Sequence, residues 1–204
     1  MVCIIGCQVM EQELRALAQR YPQVTRIEIL PWGLHIEPDR LLQEITRQIR
    51  AVEKEHRAIM LGYGRCQTLD RLGDDFKIPV YYPEGEDCIG VLLGQDRYGK
   101  ELMKNAGTWF LTPGWARLGM DFIFRELQVQ SMAQRGIEPR EAARRALKDF
   151  NRTLLIKTGC GDLNRQRVQA RAIAEQFGWR VDEASGSLKA LRGCLCRAID
   201  SDCP

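Results

Sequence analysis

The chain is poor in histidine, with only His35 and His56. That scarcity, together with the absence of a nucleophile-elbow motif and of a paired-histidine metalloprotease motif, ranks the standard hydrolase readings low. It has no Cys-x-x-Cys pair, so no metal or redox site is declared by local spacing alone. No run reaches the ~18 apolar residues of a membrane span. Met1 leads straight into a strand-like run without a basic prelude or a long apolar core, so no signal peptide is read and the expected location is the cytoplasm. Neither charge sign dominates: 30 basic residues face 27 acidic ones, which gives no reason to expect nucleic acid or an anionic membrane as partner. The basic residues between Arg135 and Arg152 alternate with acids at helical spacing and read as a solvated helix face. No repeat and no low-complexity segment is present.

What the chain does have is cysteine, eight in 204 residues. In a cytoplasmic protein that number argues for metal or redox chemistry over a disulfide scaffold. Apolar β-branched runs alternate with segments of helical period. Strands are expected over 2–6, 24–30, 58–61, 78–82, 108–111, 153–156 and 179–181. Helices are expected over 10–21, 38–56, from Cys88, over 96–105, 116–134 and 139–150, up to Phe177, and around 188–191. This order predicts an α/β fold, a three-layer sandwich whose mostly parallel sheet has about five or six strands with helices on both faces. One domain over 1–204 is expected, with a possible helical lobe at 116–150 and a flexible Cys-rich tail at 193–204.

Cys7, Cys66 and Cys88 each lie just past the end of an apolar run. Neighbouring parallel strands would open their carboxyl ends on one edge, where open α/β sheets place ligands. Three thiolates there suit an iron–sulfur cluster, of the four-iron type, or a zinc ion, and leave one position open. A helix N-terminus and Arg65 beside Cys66 are expected to lower the thiol pKa. Cys160 is a fourth strand-end cysteine that either ligates or caps the same edge. Cys3, within the first run, reads as core, and Cys194, Cys196 and Cys203 as a second metal site or unused thiols.

The turn Gly62-Tyr63-Gly64-Arg65 is a weak phosphate-loop signal, lacking the third glycine or the lysine of such loops. Its structural reading is positive φ or a close approach of the chain to something, which a cluster cradled next to Cys66 would supply. His35 can ligate, donate to substrate or shuttle a proton, against a plain hydrogen-bonded loop role. Glu86 and Asp87 flank Cys88 as an acid, base or ligand, with a helix cap as the alternative for Asp87. Trp32, Trp109, Trp115, Tyr63, Tyr81 and Tyr82 either line a pocket or pack loops.

At these residues the chain resembles an uncharacterised family, domain of unknown function 1638, from Cys7 to about Leu191. The matching pieces are Ile5-Gly6-Cys7 with the helix from Glu11, Gly33-Leu34-His35 with Pro38, and Leu61-Gly62-Tyr63-Gly64-Arg65-Cys66. Asp87-Cys88-Ile89 with Leu92-Leu93-Gly94, and Gly107 through Trp115, complete them. The resemblance implies a cytoplasmic protein of anaerobes that works beside corrinoid-dependent methyltransferases and their corrinoid proteins. It implies cysteines at Cys7, Cys66 and Cys88 and a histidine at His35. The chain departs from the family pattern at Glu86, where a histidine is usual, and at Cys160, where a leucine is usual. Two alternatives stay open: a metal-free module binding a small ligand or a corrinoid partner, and a thiol switch using Cys66 and Cys88.

Overall fold

The computed structural model describes residues 1–65, 69–73 and 75–200. It is α/β with parallel strands and helices packed around them. The seven strands among the described residues divide between two sheets. The first sheet has the order β2-β1-β3-β4, built from β1 (Val2–Cys7), β2 (Val24–Leu30), β3 (Ala58–Gly62) and β4 (Val80–Tyr81). The second has the order β5-β6-β7, from β5 (Thr108–Leu111), β6 (Arg152–Lys157) and β7 (Arg180–Ser185). Every pairing is parallel.

Proline explains where the first sheet stops. Pro79 and Pro83 bracket β4 and leave only two residues to pair, because a proline cannot donate to the ladder. The strand therefore forms a short edge, and the sheet does not extend to β5.

Nine α-helices connect these strands among the described residues. α1 (Glu11–Ala18) and α2 (Pro38–Val52) follow β1 and β2. α3 (Cys88–Leu93) and α4 (Gln95–Lys104) precede β5, and α5 (Pro113–Leu118), α6 (Met120–Glu126) and α7 (Pro139–Ala146) precede β6. α8 (Leu163–Phe177) and α9 (Lys189–Ile199) flank β7. In α2 the buried set Leu41, Ile45, Ile49 and Val52 recurs at three and four residues and supplies one face to the core. One cluster joins Cys3, Ile5, Ile59 and Leu61 of the first sheet to Leu111 and Leu155 of the second, so the sheets share a core. Burying such side chains contributes about 1.5–3 kcal/mol each before the cost of ordering them.

Two expectations change. The helix predicted over 116–134 is broken at Gly119, whose φ of +64° no continuing helix tolerates, and again at Gln128. The tail predicted to be flexible from residue 193 is helical through Ile199, held by the buried side chains Cys194, Leu195 and Ile199. No helix among the described residues is long and apolar enough to cross a membrane.

Glu13 of α1 is fully buried, and burial raises its carboxyl above the usual carboxylate range. Protonation is thus favoured more in the folded than in the unfolded chain. Below the unfolded value, ~4.3, both states are neutral and nothing is lost. As pH rises the unfolded state ionises first, and stability falls until the folded carboxyl has titrated as well. Glu13→Gln is therefore expected to unfold with wild-type stability near pH 3–4 and with greater stability near pH 7, in urea titrations at both pH values.

Candidate functional site

In the sheet order β2-β1-β3-β4 the connection after β1 runs to one side, to β2, and the connection after β3 runs to the other, to β4. The switch point lies between β1 and β3, and the crevice beyond the strand ends there is the usual ligand position. Gly6 stands opposite Gly62 in register, so Cys7 and the turn after Gly62 emerge side by side. Both glycines leave room for Leu14 of α1, which lies across them. A Cβ on Gly6 or Gly62 would come within 2.1 or 2.5 Å of a Leu14 methyl group.

Cys88 comes to the same edge from the loop after β4. Asp87 caps α3, its Oδ1 accepting the Gly90 N–H at 2.7 Å, which fixes Cys88 as the first helical residue. The Gly64 backbone packs on that cap: a Cβ on Gly64 would lie 2.3–2.6 Å from Asp87 backbone atoms. The Arg65 N–H donates to Gly85 O at 2.8 Å, tying the two loops together. What the glycine turn approaches, then, is the loop carrying Cys88. Tyr63 is buried beside it, and Arg65 projects outward to pair with Asp70 at 2.9 Å.

Cys7 lies close enough to act electrostatically on Cys88, and the Trp115 side chain acts on Cys88 in the opposite sense. Burial pushes the Cys88 thiol far above its ordinary value, with Asp87 and Cys7 adding to it; Trp115 and the backbone oppose the shift and lose. The expected thiolate stabilisation at the helix start is therefore outweighed by desolvation. A bound soft metal reverses that balance by replacing the proton.

Cys66 lies outside the described residues. Cys160, after β6, belongs to the second sheet, where Glu13, Thr158 and Arg20 act on it. Among the described residues no three His, Cys, Asp or Glu side chains gather as a metal site, so Cys160 does not join Cys7 and Cys88. The physical reason is the division into two sheets, which gives the strand ends separate edges. Cys3 is buried in the core as expected, its thiol pushed up to about 12 by burial. Cys194 is a buried residue of α9, its thiol also pushed up to about 12, and Cys196 on the same helix is disulfide-bonded, so it is neither a metal ligand nor an unused thiol. Cys203 is outside the described residues.

His35 sits past β2, half-exposed, its Nε2 3.4 Å from Glu126 Oε1. The bond to Glu126 raises its pKa, with burial opposing, and Asp87 contributes, which places the ring in the field of the Cys88 loop. The ring also lies edge-on to Trp115 at 6.2 Å. Glu86 is exposed, and its backbone N–H donates to Gln95 Oε1 at 3.3 Å. The tryptophan faces are largely used by neighbouring rings. Trp115 stacks on Phe122 at 4.0 Å and meets Trp32 at 6.0 Å, while Trp109 stacks with Trp179 at 6.3 Å.

Two neighbours of the site escaped the sequence reading. Glu126 ends α6, and nothing in its local sequence points to His35. Tyr98 lies within the field of Asp87, and its hydroxyl is pushed up to about 12 by burial and by Asp87.

A family model described as protein of unknown function (DUF1638) matches residues 29–195. The chain belongs to this family. The DUF1638 match takes in His35, the glycine turn, Cys88 and Trp115, whereas Cys7 precedes it. No curated protein and no solved structure matches the chain.

Proposed function

We propose that Cys7, Cys66 and Cys88 hold a thiolate-bound metal centre, an iron–sulfur cluster of the four-iron type with zinc as the alternative. We propose further that it serves one-carbon and corrinoid methyl-transfer metabolism in the cytoplasm, with a corrinoid protein or methyltransferase as partner. The observation that carries the first part is the meeting of Cys7 and Cys88 at the switch point of the first sheet. The corrinoid part is supported by the resemblance of the quoted motifs.

The donor set fits such a centre. The thiols are soft ligands, and Trp115, which opposes the upward shift of the Cys88 thiol, is placed to tune a thiolate-held cluster. With three protein thiolates, a four-iron cluster leaves one iron open to substrate or to electron transfer. Around it, Asp87 fixes Cys88 through the helix cap, and the turn from Gly62 to Arg65 holds the cysteine loops together. His35, paired with Glu126, provides a proton donor at the rim, and Glu86 provides an exposed carboxylate.

The test is anaerobic purification followed by iron, sulfide and zinc analysis with a visible spectrum. About four irons per chain with matching sulfide is expected, and alanine at Cys7, Cys66 or Cys88 should remove most of the metal, whereas Cys160→Ala should retain it. Zinc in place of iron selects the structural or Lewis-acid form. Metal-free protein from anaerobic preparations overturns the proposal. That result would favour a metal-free binding module, a reading to which the neutral, buried Cys88 thiol already lends support.

A further inference from the structure

Two cavities meet at the start of α9. The smaller, about 440 Å³, lies between the end of α1 and the opening of α9, and Arg20, Lys189 and Arg192 line it. The larger, about 1150 Å³, lies between α9 and the turn joining α3 to α4. Ser187, Lys189 and Arg192 line both, so the same cations face each cavity.

The smaller cavity is basic without compensation. Among the described residues no carboxylate lines it. The side chains of Arg20, Lys189 and Arg192 form no ion pair and no hydrogen bond with any described residue. Other exposed arginines are paired: Arg15, Arg47 and Arg167 reach carboxylates at 2.9, 2.5 and 2.6 Å. Arg20 lies just beyond the C-terminus of α1, where the helix dipole favours a cation. Lys189 and Arg192 have no such reason. They open α9, whose positive end disfavours cations and whose first turn carries no acidic residue. The fold thus keeps two charges where its own field opposes them, at a cost of ~0.3–1 kcal/mol each. A bound anion reverses the sign of that cost.

The larger cavity is different. Glu84, Asp96 and Asp200 face it together with Arg97 and Arg197. Both arginines are engaged, Arg97 donating to Ser185 O at 2.7 Å and Arg197 to Tyr82 O at 2.8 Å. Charge there is balanced, and the carboxylates are acceptors for hydroxyl groups.

We propose that the start of α9 binds a phosphate ester of a hydroxylated small molecule. The phosphate lies between Arg20, Lys189 and Arg192, and the hydroxylated part occupies the larger cavity. Three cations match more than one negative charge, which favours phosphate over a carboxylate. The two guanidinium forks are each shaped to donate to a pair of phosphate oxygens. Ser187 Oγ accepts the Lys189 N–H at 3.0 Å and keeps its own proton to donate. Leu17 and Leu188 form the apolar part of the wall. Cys7 and Cys88 line neither cavity, so the site stands independently of the metal centre.

The experiment is calorimetric titration of the full chain in low-salt buffer with glucose 6-phosphate, AMP, inorganic phosphate and glucose. At least one ester should bind about tenfold more tightly than inorganic phosphate, and glucose should not bind measurably. Arg20→Gln, Lys189→Gln and Arg192→Gln should each weaken ester binding by about tenfold, the loss of one hydrogen bond to a charged group. The replaced side chains are exposed, and unchanged urea unfolding checks that each variant is folded. Arg171→Gln is the control, an exposed arginine of α8 that lines neither cavity, and should bind as wild type. No binding of any phosphate, or wild-type affinity in Arg192→Gln, overturns the site. Equal weakening in Arg171→Gln also overturns it, because binding would then follow overall charge. Inorganic phosphate binding as tightly as both esters overturns the role of the larger cavity.

Discussion

Arg152→Met is expected to destabilise the protein by about 3–5 kcal/mol, the range for breaking a buried ion pair from one side. Arg152 lies on β6 and is only 5% exposed. Its guanidinium reaches Glu101 Oε2 at 2.9 Å, the Glu101 carbonyl at 3.1 Å and Thr108 Oγ1 at 2.9 Å, with Asp182 at 3.6 Å. One side chain thereby joins α4 to all three strands of the second sheet. Methionine keeps most of the volume and removes every donor. It leaves the Glu101 carboxylate buried with only Lys104 to compensate, at 2.9 Å, and the Thr108 hydroxyl without a donor. Lys104, with Arg152, holds the Glu101 carboxyl below the usual range. A depressed folded pKa contributes stability above the unfolded value and loses it as pH falls through the carboxylate range. The difference between wild type and Arg152→Met should therefore shrink in urea titrations near pH 3. Adding Glu101→Leu should recover much of the loss, since the uncompensated charge then disappears. A loss under 1 kcal/mol at pH 7 would contradict this account.

The elements were legible where one residue type decides them locally. β1 was visible as an unbroken apolar run because it is buried on both faces, and α2 because its apolar residues recur at helical spacing. The Asp87 cap was also legible, since a carboxylate before a helix has one close use, accepting the first free N–H groups. The helix breaks at Gly119 and Gln128 were not, because apolar spacing continues through them while the backbone turns.

The site divides in the same way. Cys7 and Cys88 could be placed together because strand ends in a parallel sheet share an edge. That logic failed for Cys160 because it assumed one sheet, and the proline-bracketed β4 ends the first sheet early. His35 was legible as a residue at the edge, but Glu126 was not legible as its partner. The two are brought together by the packing of α6, at a separation in sequence that no local pattern spans. Gly62 and Gly64 were read as a close approach to something, and the structure supplies Leu14 and Asp87.

Gly64→Ala is expected to cost about 3 kcal/mol and, under the proposed function, to lower the metal content as well. The added methyl would lie 2.3–2.6 Å from the carbonyl carbon, Cα and oxygen of Asp87. These are backbone atoms, held by the cap to Gly90 and by the Arg65–Gly85 hydrogen bond. They cannot rotate away as the Leu14 methyls facing Gly62 can. The turn after β3 and the loop before α3 must separate. Overpacking of this kind costs about 1–3 kcal/mol, and a weakened cap adds about 1 kcal/mol. Gly99→Ala in α4 is the control. Nothing lies within 4 Å of its Cβ position, so the change should gain roughly 0.5–1 kcal/mol by helix propensity. Thermal and urea unfolding of the two variants should move in opposite directions. The metal-to-protein ratio should fall in Gly64→Ala alone, because separating these loops moves the segment leading to Cys66 away from Cys88. A Gly64→Ala protein as stable as wild type would show that the two loops do not pack as described. A destabilised one with full metal content would place the ligands elsewhere.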